Sequence, residues 1–180
     1  MKFLGLFLVL ISWTAGAYML RKWRGLRSMS ISQHAASNSS ALRLFASVLI
    51  IGGLASYIWL VKWFVPELDL SVLFVALLTI TLFAQIIAAL IPDTRGLKSR
   101  MHRAAAYSGA FLYLPLSYLI LAAPKISSQA KIIGLVCFAY MIIACLAYFF
   151  VKKARSHYLT FQALYIVAFQ VIILAAAYIN

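Results

Sequence analysis

Apolar residues run through this chain in long unbroken stretches instead of alternating with polar ones. Six stretches carry no Asp, Glu, Lys or Arg: 3–20, 44–61, 70–91, 104–123, 132–151 and 158–179. A helix needs roughly 20 apolar residues to cross about 30 Å of hydrocarbon, so each stretch is long enough to span a bilayer. A lipid-exposed segment must satisfy its own backbone hydrogen bonds, and these runs lack the two-residue alternation and regular turns of a membrane barrel. The pattern predicts an all-α polytopic integral membrane protein, a six-transmembrane-helix bundle forming one transmembrane domain over 1–180. Only the connection 21–43 is long. Its stretch Ser28 to Ser40 is rich in serine, which predicts a flexible loop with His34 in solvent.

Composition agrees. Of 180 residues, 66% are hydrophobic and 11% charged, whereas soluble domains are nearer half apolar and a quarter charged. Disorder, collagen and coiled coil are excluded by the same values. The net charge of +13 would suit a nucleic-acid partner if its placement were ignored. Placement removes that reading. Arg21, Lys22, Arg24, Arg27 and Arg43 flank or occupy the first loop, Arg95, Lys98, Arg100 and Arg103 the third, and Lys152, Lys153 and Arg155 the fifth. The opposite side holds only Lys2, Lys62, Lys125 and Lys131.

This asymmetry predicts that loops one, three and five are cytoplasmic and both termini outside, in a prokaryotic plasma membrane. The expected partners are membrane lipids, with anionic headgroups at the cytoplasmic face contributing about 1 kcal/mol per nearby cation. Reading the first run as a cleaved signal peptide fits less well. It opens with a single Lys, its apolar core is long, and basic residues follow it; cleavage would also place the most basic loop outside.

Trp and Tyr favour the headgroup level, so Trp59 and Trp63 are expected to mark the outer end of the second span. Trp23 and Tyr158 would mark inner ends, while Tyr113, Tyr140 and Tyr165 fall mid-span as packing aromatics. Small-residue pairs that let helices approach closely are Gly52 with Ser56, Ala84 with Ala88, and Ala105 with Gly109. Packing within one bundle is their expected role, with an oligomer as the other use. Pro115 falls mid-span in the fourth helix, where it should bend the helix or free a carbonyl.

Candidate chemistry is sparse. No span contains a carboxylate, so the buried acid of a common proton relay or ion-coupled transporter is missing. There is no HExxH, nucleophile elbow, phosphate loop or CxxC. Cys137 and Cys145 lie about 12 Å apart along one helix, too far for a disulfide, and read as small hydrophobes. His102 and His157 fall at the inner starts of helices four and six. Either they are interfacial polar caps or they form a pair able to hold haem or a metal; no cofactor is expected, and haem or a metal is the alternative. Asp93 sits among Arg95, Lys98, Arg100 and Arg103 and is expected to pair with one of them or to orient His102. Gln85, Gln162 and Gln170 are intramembrane amides. Each should face the bundle interior, because an unsatisfied amide in hydrocarbon costs several kcal/mol, about 2–7.

The run Leu90-Ile91-Pro92-Asp93-Thr94-Arg95-Gly96, with His102 and Ala104-Ala105-Ala106 after it, resembles the six-helix prokaryotic membrane proteins grouped as domain of unknown function 998. In that family an apolar-Pro-Thr-Asp turn ends helix three and a His-Gly-x-x-His step opens helix four. Here Asp93-Thr94 reverses the Thr-Asp order, Lys98-Ser99 stands in place of the first His-Gly, and no acidic motif follows helix one. Pro92, Asp93, Gly96 and His102 are the positions that carry over. The resemblance implies six spans and no reaction.

The functional expectation is a non-enzymatic membrane protein with an inner-leaflet polar pocket that binds, and could move, a lipid or small amphiphile. The pocket would be lined by Gln85, Asp93, Arg95, Arg100, His102, His157 and Gln162. The alternatives are a redox protein holding haem or metal between His102 and His157, and a structural subunit without a ligand site.

Overall fold

A computed structural model describes residues 2–23, 26–91, 93 and 96–179. Among these every regular element is helical: α1 (Lys2–Lys22), α2 (Ile31–Ala36), α3 (Ser39–Leu68), α4 (Val72–Leu90), α5 (Gly96–Leu121), α6 (Ser128–Phe150), α7 (Lys152–Arg155) and α8 (Tyr158–Tyr178). Six of them, α1, α3, α4, α5, α6 and α8, are long and apolar enough to cross a membrane. The all-α six-helix bundle read from the apolar runs is the observed fold.

Helix ends follow local chemistry more than the edges of the apolar runs. The second spanning helix starts at Ser39, not near 44, because Asn38 caps it: its side-chain oxygen accepts from the Ser40 and Ala41 amides at 2.9 and 3.3 Å. It continues past Lys62 to Leu68 and stops where Asp69 turns left-handed, with φ 57°. Exposed Lys62 does not end it, since a lysine can lie along the helix and carry its ammonium outward. The fourth spanning helix starts at Gly96, two turns before 104. Gly96 has φ +69°, a conformation that a side chain disfavours. That helix runs on through Pro115 without a break. At the end of α6, the Arg155 guanidinium donates to the Tyr148 and Phe149 carbonyls at 3.1 and 2.8 Å, covering acceptors the helix leaves free.

Hydrogen bonds between distant segments define two faces. On one, the Tyr178 hydroxyl donates to the Lys2 carbonyl and accepts from the Leu6 amide, and Ser127 donates to the Ile179 carbonyl. On the other, the Leu159 amide donates to Arg27, and α2 contacts both α5 and α8. We call these the terminal face and the basic face. The main core runs from mid-bundle to the terminal face, where Phe64, Leu68, Phe74, Leu116, Ile120, Met141 and Ile172 are fully enclosed. A small second cluster of Met19, Ala35 and Ala41 lies beneath the basic face.

Two expectations are corrected here. The serine-rich connection is not a flexible loop with a solvated histidine: residues 30–36 form a capped helix and His34 is 2% exposed, its Nδ1 3.3 Å from the Ser30 carbonyl oxygen. Trp59 is not an interfacial marker. It is 2% exposed, stacked on Trp63 and packed on Phe64, because α3 extends two turns beyond it. Mid-span Tyr113 and Tyr165 do pack inside, Tyr113 lying 4.2 Å from the Phe169 ring.

Candidate functional site

The polar groups of the basic face converge on α2. Its N-terminus is a capping box in which Ser30 Oγ accepts from the Gln33 amide at 3.1 Å and Gln33 Oε1 accepts from the Ser30 amide at 2.9 Å. This self-contained turn is pinned from two sides. Gln162, one turn into α8, accepts from the Ile31 amide at 2.9 Å. His102, in the second turn of α5 and 2% exposed, places Nδ1 2.7 Å from the Ile91 carbonyl oxygen and Nε2 2.9 Å from Ser32 Oγ. A carbonyl only accepts, so Nδ1 carries a proton, and a neutral ring then accepts from Ser32 at Nε2. Ser32 in turn lies 2.9 Å from Ser30 Oγ. The space in which a headgroup was expected to meet His102 and Gln162 is filled by residues 30–32 of the chain itself.

The other predicted residues separate. Asp93 accepts from Ser99 Oγ at 2.6 Å, one turn before His102, and Arg103 donates to the Ser99 carbonyl at 3.3 Å. Gly96 sits at the start of α5 between them; Arg100 is exposed, and Arg95, like Pro92, lies outside the described residues. His157 is exposed just before α8, its Nδ1 2.9 Å from Ser156 Oγ. With both His102 nitrogens engaged by the protein and His157 on the surface, the two rings do not form the axial or ligating pair of the redox alternative. Among the described residues no three or more of His, Cys, Asp and Glu gather into a cluster able to hold a metal ion. Cys137 and Cys145 are free and half-buried.

Gln85 belongs to a different place. Its Nε2 donates to the Tyr113 hydroxyl at 2.5 Å across the α4–α5 interface, and the pair borders a cavity of about 410 Å³. This cavity lies inside the bundle between α1, α3, α4, α5 and α8, walled largely by apolar side chains such as Leu8, Leu49, Leu82 and Phe169. Its polar fringe includes Ser12, Ser56, Tyr57, Thr81 and Gln170. Tyr57 is tied to Thr79 at 2.9 Å, and Gln170 accepts from the Trp13 indole N–H, a bond that links α1 to α8.

α1 and α3 contact each other, and α3 contacts α4 through its middle; the cavity lies where small residues such as Ser12, Gly52 and Ser56 leave room between these helices and α8. Gly5 lies so close to Trp59 that a Cβ there would overlap the indole, whereas Gly16 and Gly52 have nothing within 4 Å of where a Cβ would be. Alongside the cavity α3 leaves α-geometry at Val48–Gly52 and again at Leu60–Phe64, where the helix widens into π-turns. Such turns are frequent at functional sites. Gly52 and Ser56, expected to be a packing pair, line the opening. Ser12, Ser56 and Tyr113 were not singled out from the sequence as site residues; the Gly52–Ser56 spacing was the available signal, but it does not distinguish a close contact from a gap.

A second, narrow cleft of about 100 Å³ lies between α5, α6 and α8, where the Tyr107 and Tyr148 hydroxyls meet at 3.0 Å and Phe111 stacks on Phe149. No family model, no curated protein and no solved structure matches this chain, so the chemistry of both openings is read from their own walls.

Proposed function

We propose that the protein is a non-enzymatic integral membrane protein that binds a lipid or small amphiphile within the bilayer, in the cavity between α1, α3, α4, α5 and α8. The observation that carries this reading is the cavity itself. Its volume of about 410 Å³ lies in the range of small-molecule sites, about 300–1,000 Å³, and its apolar walls with a few polar groups suit such a ligand.

On this reading the polar pocket at the basic face is a closure, with α2 held over the bundle by His102 and Gln162. The basic face is cytoplasmic and both termini are outside, in a prokaryotic plasma membrane, as the distribution of Lys and Arg favours. Exposed Lys98, Arg100, Arg103, Lys152 and Lys153 attract anionic headgroups there at about 1 kcal/mol each. Kinship with the family called domain of unknown function 998 would place Asp93, Gly96 and His102 in the α4–α5 turn as structural positions.

Native mass spectrometry of the full chain released from nanodiscs tests the reading. Wild type should retain a bound lipid or amphiphile at one copy per chain, and Ser56→Phe, which fills the cavity, should lose it. Identical adducts on both proteins, or none on either, would overturn it.

A further inference from the structure

The walls of the α1–α3 cavity carry a chemical restriction that deepens the reading above and rests on it. Among the described residues none of the lining side chains is Asp, Glu, Lys, Arg or His. A charged headgroup drawn into this space would leave water with no counter-ion to meet it, and an unpaired charge in a low-dielectric interior is the most heavily penalised group there is.

The polar groups present are neutral, and several are unspent. Other hydroxyls in the spans bond back to their own helix: Thr79 donates to Val75, cavity-lining Thr81 to Leu77 and Ser117 to Tyr113, all at 2.7–2.8 Å. That is the ordinary fate of a hydroxyl in a helix that has no better partner. Ser12 on α1 and Ser56 on α3 line the cavity without any such bond, among the described residues. The Gln85–Tyr113 pair spends one donor and one acceptor on itself. A side-chain amide and a phenol together hold more of both, so hydrogen-bonding capacity remains whichever way the amide is turned.

Access is lateral. Ile11 of α1 and Ile51 of α3 line the cavity and are 44% and 68% exposed on the lateral surface of the bundle. A ligand would enter from the bilayer core past these two side chains without crossing the basic face.

We infer that the cavity takes an uncharged amphiphile, an apolar chain or ring bearing a hydroxyl or carbonyl group, whose polar end hydrogen-bonds Ser12, Ser56 and the Gln85–Tyr113 pair. Anionic phospholipids are left to the basic face. Long-chain alcohols, monoacylglycerols and quinones share this chemistry.

The full chain in phosphatidylcholine nanodiscs is exposed to a diazirine-bearing hexadecanol, to the matching hexadecanoate at a pH where it is ionised, and to a diazirine-bearing phosphatidylglycerol. Labelled peptides are then mapped. The alcohol should label α1 and α3 around Ser12 and Ser56 saturably, be displaced by unlabelled monoacylglycerol or quinone, and exceed both anionic probes about tenfold at these peptides, equivalent to about 1.4 kcal/mol. Ser56→Leu should reduce that labelling, while Ser56→Thr, which keeps the hydroxyl, should restore it. The comparison of probes needs only the wild-type protein, so a variant that fails to fold does not decide the outcome. Equal saturable labelling by the anionic probes would overturn the restriction on charge and leave amphiphile binding standing. Labelling that never saturates, or that falls equally on lipid-facing Ile132 and Ile143 of α6, would mean bulk lipid only and would overturn both.

Discussion

The two sides of this bundle are built on different terms. On one, α4 meets α5 and α6 meets α8 in the two most extensive interfaces of the molecule. On the other, α1 buries only Gly5 and Met19 along its length, and a cavity opens between α1, α3 and α8. Both sides are equally oily, so hydrophobicity does not explain the contrast. Lipid tails solvate an apolar helix as well as another helix does, and association depends on close backbone approach and on polar groups that need partners. The tight side has both: Gly109 sits with its missing Cβ 3.6 Å from the Ala84 methyl, and Tyr165 donates to the Ala110 carbonyl at 2.7 Å. The open side has them around the rim of the cavity, Gly5 against Trp59, Gly53 against Leu82 and Gln85, Tyr178 against Lys2 and Tyr57 against Thr79, with the Trp13–Gln170 bond as a strut between α1 and α8.

Substitutions that move the two sides toward each other should differ in cost. The largest effect is expected from Gly109→Leu, which wedges α4 from α5. Overpacking of this kind costs about 1–3 kcal/mol, to be read from chemical unfolding followed by far-UV circular dichroism; an unchanged midpoint would show that the interface is not close-packed. His102→Ala should come next. It strips the Ile91 carbonyl and Ser32 of their shared partner, at about 1–3 kcal/mol for buried groups left unsatisfied. In a Cys137→Ala, Cys145→Ala background, a cysteine replacing the fully buried Ala35 should then react faster with a maleimide as α2 lifts.

Gln162→Leu removes the other pin of α2, one hydrogen bond of about 0.5–1.5 kcal/mol, and should raise the same labelling by a smaller factor. A rise larger than that for His102→Ala would reverse the ranking of the two pins. Trp13→Phe cuts the strut between α1 and α8 at about 0.6 kcal/mol, the mean for interhelical hydrogen bonds in membranes. Crosslinking between α1 and α8 should weaken while the α4–α5 contact is untouched. The smallest change belongs to Gly16→Leu. With nothing near its Cβ position, it should shift stability by no more than about 0.5 kcal/mol, and a loss comparable to Gly109→Leu would remove the distinction between the two sides.

Much of the fold was legible in the chain, and less of the site. Six spans could be read because apolar length is a local property that the bilayer converts directly into helices. His102 and Gln162 stood out as polar groups that must find partners in or beside hydrocarbon, and both do so through α2. That helix has a readable signature, Ser30 and Gln33 spaced as a capping box and Asn38 as the next cap, but the serine content around it is equally that of a loose connection. Gln85 and Gln162 share a depth yet not a site, since depth follows from position along a helix whereas direction depends on how each helix is rotated. Gln85 turns to Tyr113 and the cavity; Gln162 turns to Ile31.

Sequence by itself determined the solvent, the number of crossings and the side on which the arginines gather, because each of these depends on residues within one segment. Only the tertiary structure decided that a cavity opens beside α1 and α3, that residues 30–32 occupy the expected headgroup space, and that among the described residues the cavity walls carry hydroxyls and amides without a charge. Those outcomes depend on the rotation and spacing of six helices against one another. In a solvent as apolar as their own side chains, rotation and spacing are fixed by a few glycines and hydrogen bonds between residues far apart in the chain.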